Sequence, residues 1–285
     1  MSVESPIAVQ TTRLPSGEDV PALGQGTWYF GENPQRRREE IAALRLGLDL
    51  GMTLIDTAEM YGNGAAESLV GEAIAGRRQE VFLVSKVLPQ HATARGTIAA
   101  CEGSLRRLNT DVIDLYLLHW RGRVPLWETL DAFVTLAEAG KIRYWGVSNF
   151  DVIDMDELRG LPGGKEVATD QVLYNLTRRG IEADLLPMCQ QRRTPIMAYS
   201  PIEQGRLLDH PGLLRVARRH EATPAQVALA WVLRVEGAIA IPRSGTSGHV
   251  RDNHAALDVR FTKEDLAELD RAFPVPNGKV PLEML

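Results

Sequence analysis

Short apolar runs alternate with longer amphipathic stretches along most of the chain. Runs such as VFLVS (81–85) and DLYLL (114–118) are apolar at almost every position, and this continuous pattern is typical of strands buried on both faces. A parallel sheet is therefore favoured over a one-sided antiparallel sheet. The predicted strands are 22–26, 53–56, 81–86, 112–119, 142–148, 168–172, 195–199 and 238–241.

The amphipathic stretches between these strands predict helices. The clearest helical patterns cover 37–50, 93–108 and 126–139. Gly51 and Gly140 follow two of these stretches, where a helix often ends on a glycine. The pairs Asn33-Pro34 and Thr223-Pro224 are predicted to begin helices, with proline in the first helical position.

About eight strand–helix units follow one another, which is consistent with either a closed barrel or an open doubly wound sheet. No G-x-G-x-x-G motif follows the first strand, and its absence argues against a doubly wound dinucleotide-binding sheet. The sequence therefore predicts an α/β fold, a (β/α)8 TIM barrel with an N-terminal β-hairpin over 7–20 that turns at residues 15–17. No segment has the composition of a linker, so residues 1–285 are predicted to form one barrel domain.

The composition narrows the range of partners. Of the 285 residues, 44% are hydrophobic and 24% are charged, as expected for a globular protein. The net charge of −5 gives no reason to expect binding to nucleic acid or to an anionic membrane. Two cysteines, no signal-peptide pattern and no apolar stretch of about 20 residues predict a cytoplasmic protein. No obligate protein partner is evident.

Several apolar runs stop on a polar residue that can do chemistry. In a parallel barrel, the C-terminal ends of all strands lie on one face, so these residues are predicted to converge on an active site. The runs are TLID, VFLVSK, DLYLLH, YWGVSN and PIMAYS, which end at Asp56, at Lys86, at His119, at Ser148 and Asn149, and at Tyr199 and Ser200.

Proton transfer is the chemistry that this set of residues indicates. A tyrosine has an ordinary pKa of about 10, and the ammonium of Lys86 is expected to bring the pKa of Tyr61 closer to neutral pH. Asp56 is expected to hold Lys86, and His119 to donate a hydrogen bond to a carbonyl oxygen. Each residue alone has an ordinary structural explanation, such as capping or packing, but their joint order favours catalysis.

The chain resembles the aldo-keto reductases over its whole length from the hairpin to the last helix. LIDTAEMYGNGAAESLVGEAI, VFLVSK, LYLLHW, IRYWGVSNF and MAYSP occur in the family's order, and the opening GTW corresponds to Gly26, Thr27 and Trp28. Within the family, the chain is most similar to bacterial reductases of methylglyoxal and other small aldehydes. The resemblance places the catalytic tetrad at Asp56, Tyr61, Lys86 and His119.

The resemblance also implies a cofactor, NADPH, lying extended across the barrel mouth without a dinucleotide-binding sheet. Gly26, Thr27, Trp28 and Asp56 are expected beside it. Ser148, Asn149 and Gln171 are expected to bind the carboxamide, Tyr199 to stack on the nicotinamide, and Ser200, Pro201 and Ile202 to pass beside the pyrophosphate.

The segment that begins at Ile241, IPRSGTSGHVRDN, matches the family's segment for the adenosine phosphate and adenine, and its place after the last strand fits the usual phosphate site of such barrels. Arg243 replaces a lysine and keeps its charge. Ser244, Asp252 and Asn253 match a phosphate-binding serine and adenine contacts. His249 replaces an arginine of most NADPH-preferring members, and a largely neutral imidazole removes a fixed charge from the 2′-phosphate. NADPH stays favoured through Arg243, while use of NADH stays open.

The resulting hypothesis is the reduction of aldehydes, and of some ketones, to alcohols by hydride transfer, with Tyr61 as the general acid. The small carbonyl substrate is expected to lie in a pocket walled by Trp28 and Trp120 and oriented by Tyr61 and His119. One alternative is a redox-sensing subunit that holds nicotinamide nucleotide and turns over slowly. A metal-dependent hydrolase is a third reading, but only His119 and Asp56 lie on strand ends as candidate ligands, so no metal is expected.

Overall fold

A computed structural model describes residues 8–285. Residues 1–7 lie outside the described residues. They include the first residue of the predicted hairpin and most of the opening segment whose composition argues against a signal peptide. The hairpin is formed by β1 (Thr11–Arg13) and β2 (Asp19–Pro21), which pair antiparallel. Its turn uses Gly17 in the left-handed region, at a φ of 91°, where glycine has no steric penalty.

Eight parallel strands form the main sheet, in the order of the sequence. The first and last of them are joined by parallel bridges from Leu23 to Ala240 and from Gly26 to Arg243, so the sheet closes on itself. The predicted (β/α)8 barrel with an N-terminal hairpin is confirmed. The strands are β3 (Gln25–Gly26), β4 (Leu54–Asp56), β5 (Phe82–Val87), β6 (Ile113–Leu118), β7 (Ile142–Ser148), β8 (Asp170–Leu173), β9 (Ile196–Tyr199) and β10 (Ala238–Ala240).

Helices follow the strands and surround the barrel. They are α1 (Arg37–Asp49), α2 (Ala65–Ala73), α3 (Ala94–Leu108), α4 (Leu126–Glu138), α5 (Val152–Gly160), α6 (Leu185–Gln191), α7 (Pro211–Arg219), α8 (Pro224–Leu233), α9 (Ser247–Ala255) and α10 (Lys263–Ala272). Within residues 8–285, no helix combines the length and the apolar character needed to cross a membrane.

The ends of the helices show where local sequence signals decide the structure. Thr223 caps α8 and exchanges hydrogen bonds with Gln226, and Pro224 is the first residue of that helix, as predicted. Gly51 and Gly140 follow α1 and α4 with positive φ angles of 85° and 69°.

The predicted helix start at Asn33-Pro34 is wrong, because α1 begins at Arg37. The side-chain oxygen of Asn33 accepts the backbone N–H of Gln35, and Arg36 N–H donates to the Asn33 carbonyl. This turn gives hydrogen-bond acceptors to the backbone N–H groups of Gln35 and Arg36 before the helix begins. Asparagine side chains often form such turns.

The strand bounds agree with the prediction to within about two residues, apart from the first strand. Residues 22–24 do lie beside β10, with Gly24 N–H donating to Ala240 O and Ala240 N–H donating to Ala22 O. The regular part of β3 is only Gln25–Gly26, because few hydrogen bonds close the barrel at this seam.

Two apolar clusters fill the two sides of the sheet. The inner one lies within the barrel and includes Leu54, Leu117 and Ile239. The larger one lies between strands and helices and includes the fully buried Tyr116 and Trp231. Alternate residues of a strand thus face different cores, which explains why the strand sequences are apolar throughout.

One helix approaches the barrel so closely that only glycine fits at the contact. A methyl group on Gly47 of α1 would lie 2.0 Å from the side-chain oxygen of Gln25. Gln25 is itself fixed, since its amide donates to the carbonyl oxygens of Leu44 and Met52 at 3.2 and 3.0 Å. The contact therefore holds α1 against the first barrel strand.

Replacing Gly47 with alanine is expected to lower the free energy of unfolding by about 1–3 kcal/mol, because the buried Gln25 amide must move. Chemical denaturation followed by circular dichroism measures the change. Gly160→Ala is the matched control, since a methyl group there meets nothing within 4 Å and helix propensity alone applies. Equal stability of the two variants would contradict the close-contact explanation.

Candidate active site

The ammonium of Lys86 lies at the centre of the barrel mouth and is fully buried. Its three N–H groups have three acceptors: Asp56 Oδ2 at 2.8 Å, the Thr57 carbonyl at 2.9 Å and the Tyr61 hydroxyl at 3.1 Å. Asp56 ends β4 and Lys86 lies near the end of β5, so the parallel register brings the two side chains together. Every donor of the ammonium is thereby used by protein atoms.

Tyr61 reaches the ammonium from the loop between β4 and α2. It begins a tight turn over Tyr61–Gly64 in which Gly62 and Asn63 both have positive φ, at 55° and 51°. Glycine and asparagine are the residues that adopt this conformation most readily. The GNG sequence thus fixes the direction in which the phenol points.

The protonation of Tyr61 differs from the sequence-based expectation. We predicted a pKa lowered towards neutral pH by Lys86, and that direction is wrong. Burial raises the pKa of the Tyr61 phenol above its ordinary value, and the positive charge of Lys86 only opposes this effect. The pKa of Lys86 is also raised: burial lowers it, but the negative charge of Asp56 and the contacts with Tyr61 outweigh burial. The resting site therefore holds a neutral phenol beside a charged ammonium.

The second oxygen of Asp56 is held by a residue from the opposite side of the barrel. Gln171, on β8, donates from Nε2 to Asp56 Oδ1 at 2.8 Å and contacts the Met197 sulfur at 2.9 Å. The Asp56 carboxylate is consequently fixed by Lys86 on one oxygen and by Gln171 on the other. This arrangement keeps its charge directed at the ammonium.

His119 follows β6 and is 8% exposed. Its Nδ1 is buried and has no hydrogen-bond partner in residues 8–285, which leaves Nε2 as the nitrogen available to a ligand. The imidazole lies edge-on to the Tyr61 ring, with the ring centroids 5.8 Å apart. Burial, assisted by the charge of Lys86, lowers the pKa of His119 to about 2, so the ring is neutral.

A hydrogen-bonded group joins the ends of β7 and β9. Tyr199 donates its hydroxyl proton to Asn149 Oδ1 at 2.9 Å, and Asn149 Nδ2 donates to Ser148 Oγ at 3.0 Å and to the His119 carbonyl at 3.1 Å. Ser148 in turn donates to the Gln171 carbonyl at 2.8 Å. The network links four neighbouring strand ends and holds Asn149 in a left-handed conformation, at a φ of 57°.

A cavity of about 680 Å³ opens above these strand ends. Nearly all the residues predicted for the site line it, and the exceptions are Lys86 and Ser244. The predicted residues in the lining are Gly26, Thr27, Trp28, Asp56, Tyr61, His119, Trp120, Ser148, Asn149, Gln171, Tyr199, Ser200, Pro201, Ile202, Ile241, Arg243, His249, Asp252 and Asn253.

The two exceptions lie directly behind the cavity wall. Lys86 is covered by Asp56 and Tyr61, through which it contacts the cavity indirectly. Ser244 is 6% exposed, and its hydroxyl accepts a hydrogen bond from the Asn253 amide at 2.5 Å. In this structure Ser244 therefore positions Asn253.

Sequence reasoning missed several residues of the cavity wall. These residues are Tyr29, Met60, Gln204, Gly205, Leu208, Ala225, Met284 and Leu285. Most lie in loops or in the C-terminal segment, where no periodic pattern identifies the direction of a side chain. Tyr29 had a usable signal, because it adjoins Trp28, and the two rings stack with centroids 4.4 Å apart.

These features of fold and site agree with comparisons against known proteins. Residues 22–273 match the model of the aldo/keto reductase family. The chain therefore belongs to this family and is an oxidoreductase.

Among its relatives, the chain is 55% identical to methylglyoxal reductase YeaE of Escherichia coli over 273 residues, which are 93% of this chain and 95% of the relative. It is 33% identical to glyoxal reductase of Bacillus subtilis, with 91% of both chains covered. An aldo/keto reductase of Klebsiella pneumoniae, crystallised with NADP and acetate, superposes with a TM-score of 0.95. That structure shares 51% sequence identity and covers 98% of this chain and 100% of its own.

The imidazole of His119 is expected to remain neutral between about pH 5 and pH 8, a range in which an ordinary histidine titrates. Its NMR signals, assigned by their loss in a His119→Gln variant, should not shift through this range. Burial is the cause, since it lowers the pKa to about 2. A titration midpoint above about pH 5 would show that the ring is more accessible to water than the structure indicates.

Proposed function

We propose that the protein reduces small aldehydes, methylglyoxal among them, to alcohols with NADPH as the reductant. The observation that carries this proposal is the Tyr61 hydroxyl, 3.1 Å from a buried ammonium, at the wall of a cavity that it shares with the neutral His119. A phenol so placed is a general acid for a carbonyl oxygen. Family membership and the names of the relatives support the same reaction.

Tyr61 donates the proton in the proposed mechanism. The phenol stays protonated in the resting site because burial raises its pKa. Once the proton has moved to the substrate oxygen, the ammonium of Lys86 stabilises the phenolate through the hydrogen bond already present. Asp56 keeps the ammonium charged and in place. The Tyr61 phenolate, which is costly to form in a buried site, thus lies beside an ammonium that is already in position.

His119 orients the carbonyl group. A neutral imidazole that carries its proton on Nε2 donates a hydrogen bond to the carbonyl oxygen without adding a charge beside Lys86. Trp28 and Trp120 also line the cavity, and the Trp120 ring lies 4.9 Å from the His119 ring, centroid to centroid.

The residues at the barrel mouth fit a nicotinamide dinucleotide. Gln171 uses Nε2 within the protein, so its carbonyl oxygen is free to accept from a carboxamide, and the Tyr199 ring offers an aromatic face. At the other end, Arg243 has a guanidinium at the cavity wall that suits a phosphate. NADPH supplies a hydride when bound, which is the chemistry that the side chains cannot supply.

The remaining cofactor assignments follow the same cavity. Gly26, Thr27, Trp28 and Asp56 would lie at the nicotinamide end, with Ser148 and Asn149 beside the carboxamide. Ser200, Pro201 and Ile202 would flank the pyrophosphate, and Ile241, Arg243, Ser244, His249, Asp252 and Asn253 the adenosine end.

The proposed activity is tested by following the absorbance of the reduced nicotinamide. Purified protein with NADPH is expected to show rapid, methylglyoxal-dependent loss of that absorbance over many turnovers, with slower loss when NADH replaces NADPH. Oxidation of one cofactor per protein followed by arrest would instead support the nucleotide-binding sensor.

Replacing Tyr61 with phenylalanine is expected to lower kcat by about 100-fold or more, because the general acid is lost. NADPH binding, measured by fluorescence titration, should change little. Tyr144→Phe is the control, since Tyr144 is a barrel tyrosine whose hydroxyl bonds Glu18 of the hairpin turn, away from the cavity. Full activity of the Tyr61 variant would remove the proposed acid from the mechanism.

A further inference from the structure

The guanidinium of Arg243 has no carboxylate within ion-pair distance in the described part of the chain. Its side chain is exposed at the cavity wall and packs over the rings of Phe30 and Tyr29, with distances of 5.4 and 6.0 Å to the ring centroids. It forms no ion pair or side-chain hydrogen bond with any of residues 8–285. A cation at a cavity wall that has no ion pair with a protein carboxylate is a candidate site for an anion, because its charge is still available to a ligand.

A second arginine approaches the same loop from a different element. Arg36, immediately before α1, directs Nη2 to the carbonyl oxygen of Gly245 at 3.5 Å, and a methyl group on Gly245 would lie 3.1 Å from this nitrogen. Gly245 is two residues beyond Arg243. The guanidinium of Arg36 thus lies against the segment that connects Arg243 to the start of α9.

The two arginines are close enough to repel each other. The pKa of Arg243 is lowered, first by burial and second by the charge of Arg36, while Glu40 and Glu32 act in the opposite direction. The only ion pair of Arg36 in the described part of the chain is with Glu39, at 3.3 Å, with both side chains partly exposed. Such an exposed pair contributes little and is easily exchanged for a stronger partner.

The cavity lining offers no other fixed positive charge in residues 8–285. Arg243 is its only lysine or arginine, and His249, Asp252 and Asn253 are its neighbours at this end. The opposite end holds Tyr61 and His119, so a dinucleotide that places its nicotinamide there brings its adenosine phosphate to Arg243. A phosphate dianion at that point has one arginine in the cavity wall and a second one directly behind the loop.

We propose that Arg36 is a specificity-determining residue that pairs with Arg243 to hold the 2′-phosphate of NADPH, and thereby supplies the fixed charge that His249 lacks. This inference rests on the proposed function. A phosphate that Arg243 holds in the cavity and that Arg36 attracts from across the loop replaces their mutual repulsion with two attractions, and Arg is suited to this role by its several donors. NADH, which has no 2′-phosphate, gains nothing from Arg36.

The test measures binding by isothermal titration calorimetry, with 2′,5′-ADP and 5′-AMP as fragments that differ by the 2′-phosphate, and with NADPH and NADH. In Arg36→Ala, Kd for NADPH and for 2′,5′-ADP is expected to rise about five-fold, as suits a partly exposed charge pair. Kd for NADH and for 5′-AMP should stay unchanged. The five-fold difference should shrink as salt is raised, because the contact is partly exposed.

Arg38→Ala is the matched control, because it removes the same charge from an exposed position of α1 and should leave all four affinities unchanged. Arg36→Lys should restore part of the preference. Equal weakening of phosphorylated and unphosphorylated ligands in Arg36→Ala, or no weakening at all, would overturn the role of Arg36 and leave the proposed function intact. Failure of the unaltered protein to bind NADPH would instead overturn the proposed function and this inference with it.

Discussion

The buried ion pair between Lys86 and Asp56 is the interaction on which the rest of the site depends. Removing an ammonium and a carboxylate from water is costly, and the cost is offset only when both ions are fully paired and hydrogen-bonded. Here the ammonium has three acceptors, and the carboxylate is bonded on both oxygens. Loss of any one partner would leave a buried charged group with an unsatisfied donor or acceptor, so the contacts around Tyr61 depend on the whole set.

The barrel is the means by which this set of partners is assembled. Asp56, Lys86 and Gln171 come from three strands that are far apart in sequence, yet parallel pairing places their ends on one face. The close packing of α1 on the first strand and the short seam between β3 and β10 complete the ring. The side chains that form the buried ion pair and hold Asp56 therefore come from strands, while loops supply much of the cavity wall.

Much of this architecture could be predicted from the sequence, because the relevant signals are local. Continuous apolar runs identify strands buried on both faces, and the polar residue at the end of each run, as at Asp56 or His119, identifies the face that carries the chemistry. The prediction that residues 1–285 form one domain, by contrast, stays a prediction.

The error in the direction of the Tyr61 pKa shift arises because a long-range balance decides it. The pKa of Tyr61 depends on how burial compares with the charge of Lys86, and a sequence does not give the depth of burial. The role of Ser244 stays a prediction, and its hydroxyl accepts a hydrogen bond from Asn253. Arg36 was not predicted because it belongs to a separate element that only the fold brings to the loop after β10. The false helix start at Asn33 has a local cause, since asparagine also forms turns.

The amide of Gln171 has a consequence for molecular recognition. The side-chain nitrogen of Gln171 already contacts Asp56 and the Met197 sulfur, so the atom that remains available to a ligand at the barrel mouth is the side-chain oxygen. An oxygen at this position accepts a hydrogen bond from an N–H group and repels a carboxylate. In the proposed complex, the side chain that fixes Asp56 would therefore also select against a deamidated nicotinamide ring, which carries a carboxylate in place of its amide.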